Sequence, residues 1–114
     1  TTLTAGGAIS EGAGGTITAG MLTGSSTGGT TLNGANLVGT LGSFDANGFS
    51  LTNAQALSVT GPVTGGAGAV ALGTTAGDLA MNGNVSGNAV TLSSAGDLTI
   101  NSGVDSGAGT TTLT

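Results

Sequence analysis

The chain has 114 residues, 25 of them glycine, and a net charge of −5 with no Lys, Arg or His. Without cations it lacks the means to neutralise nucleic-acid phosphates or to hold an anionic membrane surface. Without Cys it forms neither disulfides nor thiolate metal sites. Charged residues make up only 4% and aromatic residues 2%, yet 37% are hydrophobic. That apolar content is too high and too regularly placed for the disordered chain that Gly, Ser and Thr otherwise suggest.

Taken in order, the apolar markers Leu3, Leu32, Leu51, Leu72, Leu92 and Leu113 recur at intervals of 29, 19, 21, 20 and 21 residues. They divide the chain into units 1–29, 30–48, 49–68, 69–88 and 89–109, with 110–114 opening another. The first unit is longer than the rest. It is predicted to be a widened coil, or one with a side loop, because residues 11–29 add length after the Leu3/Ile9 pair. In the second unit Val38, Leu41 and Phe44 do not alternate cleanly, so its register is open.

The later units are plainer. Phe49/Leu51, Leu57/Val59 and Val63 mark three short strands, and Val70/Leu72, Leu79/Met81 and Val85 fall in the same places. So do Val90/Leu92, Leu98/Ile100 and Val104. Apolar spacing of two is strand spacing, and Gly-rich corners separate the strands. A repeat of about 20 residues that cannot bury its apolar side alone must stack on its neighbours. The prediction is all-β: a right-handed parallel β-helix, or β-solenoid, of five coils and the start of a sixth. Asn82 and Asn101, one coil apart, are placed either to bond along the axis or simply to tolerate a left-handed corner.

Asn–Gly pairs at Asn33–Gly34, Asn47–Gly48 and Asn82–Gly83 are hairpin signals and support a competing antiparallel meander. Hairpins, however, give no reason for one motif to return with the same polarity every coil. Thr111–Thr114 repeats Thr1–Thr4, which raises the further possibility that the whole block is a tandem unit. The pattern is already under way at both chain ends, as expected for a piece of something longer. No apolar run approaches the roughly 20 residues of a membrane span, so no membrane insertion is expected.

The runs 22–32 (LTGSSTGGTTL), 32–66 and 77–100 (GDLAMNGNVSGNAVTLSSAGDLTI) resemble the repeats of filamentous-haemagglutinin-like bacterial exoproteins, adhesins exported by two-partner secretion. The resemblance implies a right-handed β-helical stalk outside a Gram-negative cell. It also implies neighbouring copies or flanking repeats as end-to-end partners and possible contact with a host or matrix surface. The family's secretion-recognition and effector regions have no counterpart here, so no specific activity carries over.

Few residues offer chemistry. His, Cys, Lys, Arg and Tyr are absent, which removes the usual bases and activated nucleophiles. The acids Glu11, Asp45, Asp78, Asp97 and Asp105 leave only a glycosidase-type carboxylate pair, and solvated corners explain them equally well. No enzyme activity and no cofactor is expected. Asp78 and Asp97 occupy equivalent AGD triplets and are candidate calcium ligands, but two carboxylates fall short of the roughly six to eight oxygens calcium takes. The stretch 65–72 resembles a calcium-binding nonapeptide with Val70 in the ligand position, and 66–71 fits a dinucleotide glycine pattern that leads into a strand. Both are expected in so glycine-rich a chain. Asn84–Val85–Ser86 is an N-glycosylation sequon.

Outward hydroxyls at Thr2, Thr4, Ser50, Thr52, Thr91, Ser93, Thr112 and Thr114 are the candidate binding face for a glycan, receptor or ice, with residues 11–29 as a second place for specificity. The competing explanation is β-propensity and solubility without charge. The primary expectation is a structural, rod-forming segment of an extracellular adhesin or fibre.

Overall fold

The computed structural model describes Thr1–Thr114. It contains fourteen strands and no helix. In chain order these are β1 (Thr2–Ala5), β2 (Ile9–Ser10), β3 (Thr18–Ser26), β4 (Thr30–Asp45), β5 (Phe49–Asn53), β6 (Leu57–Val59) and β7 (Val63–Thr64). They continue as β8 (Val70–Thr74), β9 (Leu79–Met81), β10 (Val85–Ser86), β11 (Val90–Ser93), β12 (Leu98–Ile100), β13 (Val104–Asp105) and β14 (Thr111–Leu113). Every pairing is parallel and joins strands about one coil apart, so the chain is a β-solenoid of about six turns. No antiparallel hairpin forms at any Asn–Gly pair. Gly34 lies inside β4, and of the three glycines only Gly48 has positive φ.

Three faces run along the axis. On the first, β2, the start of β4, β5, β8, β11 and β14 stack in that order. Ile9, Thr30, Phe49, Val70, Val90 and Thr111 form one inward column, and Leu32, Leu51, Leu72, Leu92 and Leu113 form the next. On the second face Leu22, Leu41, Val59, Met81 and Ile100 are in register. On the third, Leu3, Gly24, Phe44, Val63, Val85 and Val104 are. Eighteen of these inward residues and their neighbours make one continuous buried core. Small β-branched and Leu side chains suit so narrow an interior, because like stacks on like at strand spacing. The two aromatic rings, Phe44 and Phe49, meet across one corner with centroids 4.6 Å apart.

The register corrects the enlarged first coil. Leu3 stacks on Gly24 on the third face, while Ile9 stacks on Thr30 on the first. Residues 1–8 are therefore the end of one layer, and residues 9–29 are a complete coil of ordinary length. The 29-residue interval arose from matching leucines on different faces. The same register separates Thr1–Thr4 from Thr111–Thr114: Leu113 lies on the first face, paired with Leu92. Their four-residue identity is not a structural repeat. Counted by the first-face register, the coils start at Ile9, Thr30, Phe49, Val70, Val90 and Thr111.

The irregular spacing of the second unit has a physical cause. β4 turns through two corners without losing its ladder, with register shifts against β3 and β5. Val38, Leu41 and Phe44 all reach 0% exposure. Each corner rotates the chain, so a spacing of three brings successive side chains inward.

Candidate functional site

The predicted hydroxyl face divides between two sides of the solenoid. Ser10, Thr31, Ser50, Ala71, Thr91 and Thr112 form one outward column on the first face. Beside it, Thr52 stacks on Gly73 and Gly73 on Ser93, and the next layer places Thr114 against them. Thr2 and Thr4 are elsewhere, on the third face, where Thr2 bonds to the Thr23 hydroxyl at 3.0 Å and Thr4 stacks on Ser25. The eight candidates thus form a six-residue group and a separate pair. Sequence reasoning missed Ser10 and Thr31, because it set the first coil one face out of register.

Residues 11–29 are an ordinary coil and not an insertion. Glu11 lies one residue beyond Ser10 and takes the inward position above Leu32; its N–H donates to Thr31 O at 3.0 Å. Its Oε2 accepts from Gly34 N at 2.6 Å and from Asn36 Nδ2 at 3.2 Å. Its Oε1 is buried without a partner. A carboxylate thus stands where every later coil places leucine.

Glu11 also heads an internal polar line that sequence reasoning did not find. Asn36 and Asn53 are both 0% exposed, and Thr74 is 6% exposed. Asn36 Oδ1 accepts from Ile17 N at 2.7 Å, and its Nδ2 donates to Thr52 O at 3.1 Å. Asn53 closes a ring with the Val38 backbone, Oδ1 accepting at 2.9 Å and Nδ2 donating at 2.8 Å. Thr74 Oγ1 donates to Gly77 O and accepts from Ala95 N, and Ser94 Oγ donates to Asp97 O. Each side chain saturates backbone groups at the corner after the first strand, where the register shifts or the strand ends and buried amides still need partners. The signal was present: Asn53, Thr74 and Ser94 continue the inward period of two set by Leu51, Leu72 and Leu92.

Asn82 and Asn101 do bond along the axis: Asn101 Nδ2 donates to Asn82 Oδ1 at 2.9 Å. No non-glycine residue has positive φ, so tolerance of a left-handed corner is not their role. Asp78 and Asp97 are likewise tied by backbone, since Asp78 Oδ1 accepts from Asp97 N at 2.8 Å. No group of three or more metal-ligating side chains occurs anywhere in the chain. On the third face Thr64 and Ser86 separate Asp45 from Asp105, which spaces the carboxylates apart.

Comparison with protein-family models, with curated proteins and with solved structures returns no match. Two shallow surface depressions exist, one bordered by Thr31, Asn47, Ser50 and Gly68, the other by Pro62, Asn84, Ser86 and Asp105. Neither gathers a nucleophile beside a base. Exposed large apolar side chains lie on the side of the second face, at Met21 (50% exposed) and Leu37 (41% exposed), and at the two ends of the stack. Ile100 and Leu113 are 40% and 52% exposed on the last layer, while Leu3, Ile9 and Ile17 are only partly buried on the first.

Proposed function

We propose that the chain is a structural, rod-forming segment of a secreted or cell-surface bacterial fibre or adhesin, whose layers are continued end to end by further coils. The observation that carries this is the pair of open end layers. At one, β12, β13 and β14 each pair on one side only; at the other, β1 and β2 do. Strand edges of this kind template further pairing, and solenoids ordinarily need caps to stay apart. The likeness of 22–66 and 77–100 to filamentous-haemagglutinin-like repeats supports an extracellular setting. So does a chain with no Lys or Arg for trypsin-like proteases to cut.

The test is association of the chain by sedimentation velocity. The parent chain is expected to form head-to-tail species as concentration rises. Ile100→Asp and Leu113→Asp should abolish them while leaving strand content unchanged, since both side chains are at the surface. A parent chain that stays monomeric at all concentrations overturns the end-to-end reading.

The first-face column from Ser10 to Thr112 supports a second reading, a binding module for a glycan, receptor or ice. Its hydroxyls repeat at strand spacing, interrupted at Ala71, on a sheet whose register is unbroken from β5 to β14. Thr91→Lys with Thr31→Lys should then abolish adhesion to a glycan array without altering association.

A further inference from the structure

The three Asn–Gly dipeptides are chemically alike in sequence and are held differently by the fold. Asn–Gly is the sequence most open to internal cyclisation. The glycine nitrogen attacks the asparagine side-chain carbonyl carbon, and glycine has no Cβ to hinder the approach. A fixed acceptor on the glycine N–H opposes this by holding the proton and aiming the nitrogen away. Gly34 N–H donates to Glu11 Oε2 at 2.6 Å, inside β4. Gly48 N–H donates to Gly65 O at 2.8 Å. Gly83 N–H makes no hydrogen bond, and Asn82–Asn84 is the bend between β9 and β10.

The surroundings of Asn82 favour the reaction further. Its side chain is exposed. Asn101 Nδ2 donates to its carbonyl oxygen at 2.9 Å, polarising the carbon under attack. The Ser50 hydroxyl does the same for Asn33 at 2.8 Å, so what separates the two is the acceptor on the glycine N–H. The Asn82 Nδ2, the leaving nitrogen, lies 3.1 Å from the Ser58 hydroxyl, a group able to pass a proton. Gly83 itself is buried against the Thr60 backbone. Its N–H has no acceptor in the protein, so no hydrogen bond is broken when the nitrogen attacks.

We infer that Asn82 is a self-modification site, converting spontaneously to aspartate and isoaspartate, while Asn33 and Asn47 are protected. The Gly83 N–Cγ bond forms and the Cγ–Nδ2 bond breaks. Nδ2 leaves as ammonia with the Gly83 proton. Water then opens the succinimide at either carbonyl. No electron transfer and no cofactor is involved. The product adds a negative charge to a chain that has no cation. In the isoaspartyl form it also adds a backbone carbon at a corner packed on Thr60 and Gly61. The second-to-third-face corner of the fourth coil then loosens with age. The inference does not depend on the fibre reading.

The experiment is fragmentation mass spectrometry of the intact chain, incubated at mildly alkaline pH, folded and in urea. In the folded chain the gain of one mass unit should accumulate at position 82 several-fold faster than at 33 or 47, and in urea the three rates should converge. Glu11→Ala, which frees the Gly34 N–H, should raise the rate at Asn33, and Asn101→Ala should lower it at Asn82. Equal or faster conversion of Asn33 or Asn47 in the folded parent overturns the inference, as does the same ranking persisting in urea. Should either variant unfold, its three rates converge like those in urea, and the parent comparison alone decides.

Discussion

At the residue scale, the interior owes its specificity to a few polar side chains in an otherwise aliphatic column. Asn53 is fully buried and holds both the N–H and the C=O of Val38. Removing its amide strands two buried backbone groups, each costing about 1–3 kcal/mol. Asn82 also bonds a neighbouring coil, but its side chain is in water, where a replacement hydrogen bond is available. Asn53→Ala should therefore lower the urea midpoint strongly, by about 2–5 kcal/mol of stability, and Asn82→Ala by less than about 1 kcal/mol. Equilibrium urea unfolding of the two variants checks the order. Glu11 belongs to the same line but differs in kind, since one of its oxygens has two partners and the other has none.

At the scale of the strand, glycine sets how closely layers approach. In the third-face column Gly24 lies between Leu3 and Phe44. A Cβ there would run into the Leu3 carbonyl oxygen and meet Phe44 Cε2 at 2.8 Å. Phe44 fills the volume Gly24 leaves, so a large and a small residue share one site between two layers. Gly24→Ala should cost about 1–3 kcal/mol through this overlap, whereas Gly20→Ala, with open space around it, should be neutral or slightly stabilising. Thermal melts of the two variants separate them.

The same scale shows what was legible in the sequence. Strand positions from Phe49 onward follow from a period of two, because there each strand keeps one face inward and the three strands recur in the same order in every coil. The first two coils do not yield to that rule. β4 bends through two corners without a break, and Leu3 sits on a different face from Leu32 although both look like the same motif. A leucine carries no mark of its face, and only the register between layers supplies one. The hydroxyl group shares one face at Ser50, Thr52, Thr91, Ser93, Thr112 and Thr114, where the register follows from the leucine period. It was misplaced at Thr2 and Thr4, because Leu3 sits on a different face. The buried Asn36–Asn53 line was missed because polar residues at strand ends resemble turn residues until their inward parity is counted.

At the scale of the molecule, the stack measures 30 × 29 × 21 Å, as wide as it is long. Its sides are hydroxyl, glycine, a few spaced carboxylates and the outward Met21 and Leu37, and its ends are strand edges with leucine, isoleucine and valine. The proposed end-to-end association rests on those unpaired strand edges. The hydrogen bonds of the stack run along the axis and its strands across it. The most direct measurement is therefore fibre diffraction, or cryo-electron microscopy, of material assembled from the chain. Filaments with a spacing of about 4.8 Å along their axis, strands perpendicular to it, are the predicted result. Filaments with that spacing across the axis, or particles that never exceed the dimensions of one chain, would contradict the account.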